Sequence, residues 1–419
     1  MRDWRLRIAL LGAMCLLLAM PATAGAISRA RLDRGLSEQM RRVGGGSGAW
    51  VYDLDASNHA QLFSWASETP RILASNSKLF TTSTALHRLG VNARLETRLY
   101  PQPRSSLRPH AIRGNLVIVG DGDPALSSKA FARKHGLPLT PLGALANRLK
   151  KDGIRRVLGR IEADDTIFDR KRSIPTTGVD PTPGDMSTLS GLSYNSGMNG
   201  SHDARSPELQ AARALKTKLR QRGIRVKGGV SHGNLSTGAL SHDPLASVSS
   251  PKISNLVMAT NRPSNNFYAE MLLKRLAASP EKKGTTSRGA RLAEHFAKKL
   301  GAPVRMENGS GLTRRNQASP KAVGHLLRAM AHRPEQAAFR RSLPLAAHQG
   351  TLSHRMGGTA ADGKCRAKTG TLIGVSALSG YCRTGSGLVA FSILMNSVDV
   401  AVAQDAQDKM AALIAKYGR

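Results

Sequence analysis

Residues 74–82 read Ala-Ser-Asn-Ser-Lys-Leu-Phe-Thr-Thr, and they begin a long apolar run after Pro70. Residues three apart in a helix share one face, so a helix that begins near Ser75 brings the Ser75 hydroxyl within reach of the Lys78 amine. A serine nucleophile needs a neighbour that takes its proton, and lysine can do so when burial or positive charge lowers its pKa. The N–H groups at a helix start can also hold an oxyanion. The stretch therefore predicts acyl transfer through Ser75.

The Ser-x-x-Lys pattern is short, and residues 279–282 repeat it as Ser-Pro-Glu-Lys. That second copy contains proline and has charged, unpatterned neighbours, so it predicts a solvent-exposed turn. The pattern alone leaves an ordinary helix start open as the role of Ser75. Its assignment to catalysis depends on the other motifs of the chain.

The segments on either side of the tetrad predict a sheet followed by a helix. Residues 48–54 and 61–65 alternate between apolar and polar side chains around a turn, which predicts an antiparallel hairpin. The helix after this hairpin is expected to end at Gly90. Its apolar stripe, expected to pack on the sheet, consists of Leu79, Leu86 and Leu89. This order indicates an α+β domain with an antiparallel sheet flanked by helices.

The sequence pattern changes between residues 91 and 240, where short runs of alternating apolar and polar residues are separated by Gly, Pro and Asp. This segment is expected to be a β-rich domain with a long irregular loop, inserted into the main domain. The main domain then consists of residues 27–90 and 241–419. The runs that predict strands in the insertion are 93–100, 115–119, 156–163 and 228–235.

A second polar motif, Ser-Asn-Asn at residues 264–266, lies on a predicted loop between two helices. A loop that helices fix at both ends can hold polar side chains rigidly in a cleft. The Ser-x-Asn pattern recurs as Ser193-Tyr194-Asn195, whose setting predicts a polar turn after a strand. Ser264 and Asn266 are therefore the preferred candidates for the site.

A third motif, Lys-Thr-Gly at residues 368–370, lies on a predicted strand. Lysine offers a positive charge to a carboxylate, threonine offers a hydroxyl donor, and glycine lets a substrate backbone approach the strand edge. Each residue alone is ordinary. The three motifs in this order, each on the element that suits its chemistry, indicate one acyl-transfer site.

Two of the three cysteines, Cys365 and Cys382, lie symmetrically about Ile373 and Gly374. A hairpin that turns there places them directly opposite each other and close enough to bridge. Exported proteins commonly hold such pairs as disulfides, with two buried free thiols as the alternative.

Residues 1–26 have a basic start, an apolar stretch at 8–20 and a small-residue end. This pattern is typical of a secretory signal peptide cleaved after Ala24 or Ala26, which predicts export. The apolar stretch is shorter than the ~20 residues of a spanning helix, and no later stretch is long enough. We expect a soluble product without a transmembrane anchor after processing.

The chain is strongly basic, with 62 Lys and Arg against 28 Asp and Glu and a formal net charge of +34. Such a charge bears on partners and not on the fold. Nucleic acid is disfavoured by export and by an aromatic content of only 4%, which offers few stacking platforms for bases. Anionic wall or envelope polymers are the expected partners.

The three motifs and their flanks resemble the low-molecular-mass class C penicillin-binding proteins, the D-alanyl-D-alanine carboxypeptidase/endopeptidases of peptidase family S13. The resemblance is carried by 74–82, 264–272, 308–312 and 366–372, and the long insertion is also characteristic of that family. It implies the penicillin-binding protein/β-lactamase-like transpeptidase fold, a periplasmic location and action on peptidoglycan stem peptides. It also implies acylation by β-lactam antibiotics, and the family uses no metal or other cofactor.

The resemblance implies a role for each catalytic residue. Ser75 would be the acylated nucleophile and Lys78 its proton acceptor. Ser264 would relay a proton, and Asn266 would bond the substrate amide.

The resemblance also implies how the substrate is bound. Lys368 and Thr369 would receive the terminal D-alanine carboxylate, beside Gly370 on the same strand. The N–H groups of Ser75 and Thr371 would form the oxyanion hole.

Two departures and two alternatives accompany this interpretation. Asn265 and Asn308 stand where the family commonly has aspartate, which leaves substrate preference less determined than reaction type. A serine β-lactamase is one alternative, although the Glu-x-x-Leu-Asn sequence of class A enzymes is not evident. A non-catalytic basic wall-binding protein is the other, although such a protein does not need the complete motif set.

Overall fold

The computed structural model describes residues 25–58, 60–180, 186–279 and 281–418. The helices of these residues are α1 Arg29–Val43, α2 Ser77–Leu89, α3 Lys129–His135, α4 Gly143–Lys151, α5 Pro207–Gln221, α6 Thr237–Leu240, α7 Ile253–Asn261, α8 Asn266–Leu276, α9 Thr286–Lys299, α10 Pro320–Ala331, α11 Gln336–Ser342 and α12 Val400–Ala415. The strands are β1 Ser47–Asp53, β2 Gln61–Trp65, β3 Arg71–Ile72, β4 Glu96–Gln102, β5 Leu107–Arg108, β6 Ala111–Ile112, β7 Asn115–Val119, β8 Leu126–Ser127, β9 Thr140–Pro141, β10 Arg156–Val157, β11 Ile161–Asp164, β12 Met198–Asn199, β13 His202–Asp203, β14 Arg225–Val226, β15 Val230–His232, β16 Ala246–Ser249, β17 Gln317–Ala318, β18 Cys365–Leu372, β19 Val375–Thr384 and β20 Gly387–Asn396.

The main sheet has five antiparallel strands in the order β18-β19-β20-β1-β2. Strands β1 and β2 are the predicted hairpin, with Val51 opposite Phe63. Strand β1 also pairs with β20, which comes from the other end of the sequence. The sheet therefore joins segments that are more than half the chain apart.

Helices cover both faces of the main sheet. Along β20, Val389, Phe391 and Ile393 pack with α1 and α12, whereas Ala390 and Leu394 pack with α2, α8 and α10 on the other face. This alternation follows from the two-residue period of a strand. Because both faces are covered, the strand is a continuous apolar run and not an alternating one.

Helix α2 differs from the amphipathic helix that the sequence predicted. Residues 77–86 are all buried, and the helix packs among α7, α8 and α9. Leu79 and Leu86 share a core with residues of the sheet and of these helices, so a single stripe facing the sheet is wrong. The helix ends at Gly90 as predicted.

The polar side chains of α2 tolerate burial because they bond within the protein. The hydroxyls of Thr82 and Thr84 donate to carbonyls one turn earlier, at 2.6 and 2.7 Å. Thr81 makes only a long contact of this kind, at 3.5 Å, and donates to the carbonyl of Gly309 at 2.9 Å. This last bond ties α2 to the loop at residues 308–312.

The segment between β4 and β16 forms two further sheets, ordered β15-β11-β7-β4-β16 and β14-β10-β6-β5. Strands β15, β11 and β7 pair in parallel, as do β14, β10 and β6. Parallel pairs need crossover connections, and α4 and α5 lie in this segment. The segment is thus a mixture of strands and helices, where the sequence predicted mainly strands. The domain limits at residues 91 and 240 stay a prediction.

Cys365 and Cys382 lie directly opposite each other in the register of β18 and β19, and they form a disulfide. The turn between these strands falls at residues 373–374. The predicted disulfide is present, and the alternative of two free thiols is wrong.

Replacement of both cysteines by alanine is expected to lower the free energy of unfolding by about 3 kcal/mol, because the bond closes a loop in the unfolded chain. The sequence separation of the two cysteines is 17 residues. Urea denaturation of the Cys365→Ala/Cys382→Ala variant measures the loss. The parent protein in reductant is the control and should match the variant; an oxidised parent that is no more stable than the variant would contradict the prediction.

Residues 1–24 of the predicted signal peptide lie outside the described residues. The expected cleavage point after Ala24 lies at the boundary of the described residues. The fold begins with Ile27, whose N–H donates to the carbonyl of Lys416 at 2.9 Å and whose carbonyl accepts from Gly418 at 3.2 Å. In the part of the chain that the structure describes, no helix combines the length and the hydrophobicity that crossing a membrane requires.

Candidate active site

Ser75 lies in a single 3-10 turn, Ala74–Asn76, that leads directly into α2. The helix therefore begins two residues later than expected, and Ser75 occupies the turn before it. Ala74 has a φ of 46°, a strained conformation for a residue other than glycine. The Nζ of Lys78 nevertheless lies 2.8 Å from the Oγ of Ser75. The structure thus brings the predicted pair into contact.

The amine of Lys78 is completely buried and has three oxygen neighbours. Besides Ser75, it contacts Oδ1 of Asn266 at 2.7 Å and the carbonyl oxygen of Ser310 at 2.6 Å. Burial lowers the pKa of Lys78 to about 7, against the opposing attraction of Glu270. A neutral amine has two N–H donors and one lone pair. Since two of its neighbours can only accept, the lone pair remains for the hydroxyl proton of Ser75.

Ser264 and Asn266 lie where α7 ends and α8 begins. The side chain of Asn265 caps α8 by accepting from the N–H of Tyr268 at 2.9 Å. Ser264 has a φ of 60°, so the chain turns sharply before the helix. The Oγ of Ser264 accepts from Nζ of Lys368 at 2.9 Å. The second motif therefore contacts both the first and the third.

Lys368 on β18 is completely buried, and it also donates to the carbonyl of Thr369 at 2.9 Å. Burial, together with the nearby charge of Lys78, lowers the pKa of Lys368 well below its usual value. The hydroxyl of Thr369 lies 2.8 Å from that of Thr351. Among the hydrogen bonds of the described residues, neither buried amine bonds to a carboxylate.

The turn that carries Ser75 is held between β18 and the loop at residues 308–312. The side-chain amide of Asn76 donates to the carbonyl of Lys368 at 3.1 Å. A Cβ on Gly370 would lie 3.1 Å from the backbone nitrogen of Ser75. A Cβ on Gly311 would lie 1.9 Å from the carbonyl oxygen of Ala74. Both positions therefore require glycine for close approach to the nucleophile turn.

Glu270 is a buried carboxylate that was not among the candidate site residues of the sequence. Its Oε1 accepts from the N–H groups of Gly309 at 2.9 Å and Ser310 at 2.7 Å, and the carbonyl of Ser310 holds Lys78. Burial raises the pKa of Glu270, and the two N–H bonds oppose that shift. Glu270 is thus a positioning residue for the amine. A lone charge in the apolar run 267–273 was the available signal, since a buried charge needs a partner.

The Glu270→Leu variant is expected to leave two buried N–H groups without an acceptor, which costs about 1–3 kcal/mol for each group. Acylation by fluorescent penicillin should also slow, because the carbonyl of Ser310 loses its fixed position. Glu270→Gln keeps an oxygen acceptor at the same place and should restore most of both properties. Urea denaturation and acylation rates measure these effects; a glutamine variant as impaired as the leucine variant would contradict this explanation.

The competing motif copies have different partners from Ser75, and the Ser193 copy does not directly follow a strand as predicted, because it leads from an irregular segment into the 3-10 turn Asn195–Gly197. The hydroxyl of Ser193 donates to the carbonyl of Ser190 at 3.2 Å. The hydroxyl of Ser279 donates to the carboxylate of Glu281 at 3.1 Å. Neither serine contacts a lysine in these bonds, so neither reproduces the arrangement at Ser75.

The Asn308 departure has a structural reason. Its Oδ1 accepts from the N–H of Gly311 at 2.9 Å, as an aspartate would. Its Nδ2 donates to the carbonyl of Pro175 at 2.8 Å, which an aspartate carboxylate cannot do. The amide therefore links the loop beside the nucleophile to the segment between β4 and β16.

A cleft of about 390 Å³ adjoins the second motif. Residues 263–267 form one side, and the segment between β4 and β16 supplies Phe131, His135 and Met198 on the other. Thr371 is exposed near the end of β18. The inserted segment therefore contributes a wall next to the candidate catalytic residues.

His, Cys, Asp and Glu side chains are the usual metal ligands of proteins. Within residues 25–58, 60–180, 186–279 and 281–418, no three or more of them form a group that could hold a metal ion.

Comparison with known proteins places these features in context. The family described as D-Ala-D-Ala carboxypeptidase 3 (S13) matches residues 30–200 and 195–417. A D-alanyl-D-alanine carboxypeptidase of Actinomadura sp. (strain R39) is 28% identical over 96% of this chain and 88% of the relative. The crystal structure of penicillin binding protein 4 (dacB) from Haemophilus influenzae is similar with a TM-score of 0.73 and 19% identity, over 90% of this chain and 98% of that one. The penicillin G acylated Bd3459 predatory endopeptidase from Bdellovibrio bacteriovorus has a TM-score of 0.51 and 17% identity, over 88% and 91%.

Proposed function

The chain belongs to the D-Ala-D-Ala carboxypeptidase 3 (S13) family, and we propose that Ser75 is the nucleophile with which it hydrolyses D-alanyl-D-alanine bonds. The predicted family and the penicillin-binding protein-like fold are confirmed. The chain is a serine-type D-Ala-D-Ala carboxypeptidase. The observation that carries the role of Ser75 is the buried Lys78 amine, 2.8 Å from its hydroxyl.

Acylation begins when the Oγ of Ser75 attacks the carbonyl carbon of the penultimate D-alanine and Lys78 takes the hydroxyl proton. The tetrahedral oxyanion is held by the N–H groups of Ser75 and Thr371, an arrangement typically worth several kcal/mol of barrier. The C–N bond then breaks, and the proton that Lys78 took from Ser75 passes through the Ser264 hydroxyl to the leaving amine, so that Lys78 is neutral again. The hydroxyl of Ser264 suits this relay, because its oxygen already accepts from Lys368 and its own proton remains to donate.

Deacylation reverses the roles of the same groups. Water attacks the ester carbonyl while Lys78 takes a proton from it, and Ser75 regains its proton as the ester bond breaks. The products are the shortened stem peptide and free D-alanine. Asn266 holds Lys78 through Oδ1, and its side-chain amide would bond the substrate amide during the reaction.

Lys368 and Thr369 form the subsite for the terminal carboxylate of the stem peptide. An anion beside the buried amine of Lys368 favours its charged form, which burial alone disfavours. Binding of the carboxylate thus supplies the counter-charge for this amine. β-Lactams would enter as substrate mimics and acylate Ser75.

Export to the periplasm is consistent with the N-terminal sequence, with the disulfide and with the proposed substrate. Residues 1–26 have the pattern of a secretory signal peptide, with cleavage after Ala24 or Ala26. The disulfide between Cys365 and Cys382 supports an oxidising compartment, because such bonds rarely persist in the cytosol. Peptidoglycan lies in that same compartment.

The deciding experiment uses purified muropeptides and mass analysis of the products. Pentapeptide stems should lose one D-alanine, and conversion of cross-linked dimers to monomers would report endopeptidase activity. Enzyme treated beforehand with penicillin is the control and should leave the muropeptides intact. Unchanged pentapeptides in the presence of enzyme that does bind penicillin would refute the proposed reaction.

A further inference from the structure

A basic groove lies on the segment between β4 and β16. Its volume is about 1110 Å³, and β10, β14 and α5 contribute its walls. None of its lining residues belongs to the active site, and none is an Asp or a Glu. The cations that line it are Arg155, Arg156, Lys216, Arg220, Arg225 and Lys227.

The strand register brings like charges together in this groove. Arg156 on β10 is directly opposite Arg225 on the parallel strand β14. Because side chains alternate along a strand, Lys227 falls on the same face as Arg225, roughly 6.7 Å further along. Like charges in register on neighbouring strands repel and destabilise a sheet. An anion bound across them would remove that repulsion.

Among the described residues, the cations of the groove are not paired with carboxylates. In the described part of the chain, none of the six takes part in an ion pair. The Nζ of Lys216 donates to the carbonyl of Gly228 at 2.6 Å, which leaves its charge uncompensated. By contrast, Arg148 on α4 pairs with Asp152 at 2.8 Å. The charge of the groove is therefore concentrated and available.

We propose that this groove binds a linear, base-free polymer of phosphate groups, such as a phosphate-bearing polymer of the cell wall. Four of the six cations are arginines, whose planar forks bond to phosphate oxygens in pairs. A tetrahedral phosphate accepts from cations on several sides, whereas a carboxylate accepts mainly in one plane. The lining contains no Phe, Tyr or Trp on which bases would stack, which disfavours single-stranded nucleic acid. The inference depends on neither Ser75 nor the proposed function.

Such binding would hold the enzyme against an anionic polymer while the cleft beside Ser264 stays open to substrate. The groove and the cleft share no lining residue. The groove holds six of the 62 Lys and Arg side chains of the chain. Attachment of this kind raises the local substrate concentration without altering the chemistry at the nucleophile.

The test measures the fluorescence anisotropy of labelled inorganic polyphosphate with the purified mature protein. The groove variant carries Arg156→Gln, Arg220→Gln and Arg225→Gln. The matched control carries Arg31→Gln, Arg34→Gln and Arg41→Gln on α1, where all three arginines are exposed and outside the ion pairs of the described residues. Both variants lose the same charge from different places.

The groove variant should bind polyphosphate about tenfold or more weakly, and the control should stay within about twofold of the parent, because only the groove contacts phosphate. Parent affinity should fall steeply as salt rises. Both variants should keep the parent rate of acylation by fluorescent penicillin, which reports an intact fold. If the triple groove variant does not fold, the single variants Arg225→Gln and Arg34→Gln give the same comparison with a smaller difference.

Three outcomes would overturn the inference. Equal losses in the groove and control variants would mean that diffuse charge attracts the polymer. Polyglutamate of matched charge that binds as tightly as polyphosphate would remove the preference for phosphate. Oligothymidylate that binds more tightly than polyphosphate would assign the groove to nucleic acid. None of these results changes the outcome of the muropeptide experiment, so the two proposals fail separately.

Discussion

The Ser75→Ala variant is expected to bind no penicillin covalently and to release D-alanine slower by roughly four to six orders of magnitude. Among the described residues, the other oxygens bonded to the amine of Lys78 belong to the side-chain amide of Asn266 and the carbonyl of Ser310, which are not hydroxyl nucleophiles. Without the Ser75 hydroxyl the acyl-enzyme cannot form, and only binding and the oxyanion donors remain to assist water. Fluorescent-penicillin labelling and D-alanine release from pentapeptide measure the two losses.

The second Ser-x-x-Lys copy supplies a matched control for that variant. Ser279→Ala changes the same residue type, three residues before a lysine, in a turn where the hydroxyl bonds only to Glu281 among the contacts of the described residues. It is expected to keep parent activity and parent labelling. A Ser75→Ala protein that is labelled as strongly as Ser279→Ala would end the assignment of the nucleophile.

The Lys78→Arg variant is expected to slow acylation by roughly 10²–10⁴-fold, the usual contribution of a general base. Arginine keeps a positive charge and several donors, but its guanidinium does not give up a proton in proteins and has no lone pair to offer. Lys78→Met removes the base without adding a buried charge and should show a similar loss. Single-turnover acylation by penicillin measures both variants.

Lys282, the lysine of the second Ser-x-x-Lys copy at residues 279–282, provides the control position. Lys282→Arg should acylate at the parent rate. Thermal unfolding of all three variants separates misfolding from lost catalysis. Acylation by Lys78→Met at the rate of Lys282→Arg would show that another group takes the proton from Ser75.

The same base predicts the pH dependence of the parent enzyme. Burial lowers the pKa of Lys78 to about 7. Below that value the amine is protonated and has no lone pair, so acylation should slow about tenfold for each pH unit and should level off above it. The second-order rate of penicillin acylation, measured from about pH 5 to about pH 9, reports this limb for the free enzyme. A flat profile through neutrality would contradict a lysine base.

Gly311 and Gly370 lie beside the nucleophile turn, where the backbone leaves no room for a side chain. Gly370 follows a motif that the sequence already singled out, so its importance was predictable. Gly311 lies in residues 308–312, which also carry the family resemblance, and a Cβ there would lie 1.9 Å from the carbonyl oxygen of Ala74 in the nucleophile turn. Both glycines therefore belong to patterns visible in the sequence, but the contact that requires glycine comes in each case from a segment more than two hundred residues away.

Several features of this protein followed from the sequence alone, because they depend on neighbours along the chain. Spacing of three residues put Ser75 and Lys78 together, and symmetry about residues 373–374 put Cys365 opposite Cys382. Alternating side chains predicted the hairpin of β1 and β2. The contribution of the helices α4 and α5 to the inserted segment was missed, since short apolar runs do not distinguish a strand from a buried helix.

Other features were decided only by the tertiary structure, because they depend on burial and on contacts between distant segments. A lysine in the sequence carries no sign that its amine is buried between Asn266 and Ser310, and that burial is what lowers its pKa. The support of Ser310 by Glu270 likewise appears only when the loop and α8 meet. Net charge was visible in the composition, but the placement of six cations around one groove required the pairing of β10 with β14. The order of residues along the chain determines which groups are close neighbours. Burial from solvent and contacts between distant segments determine the protonation of these groups and their hydrogen-bond partners.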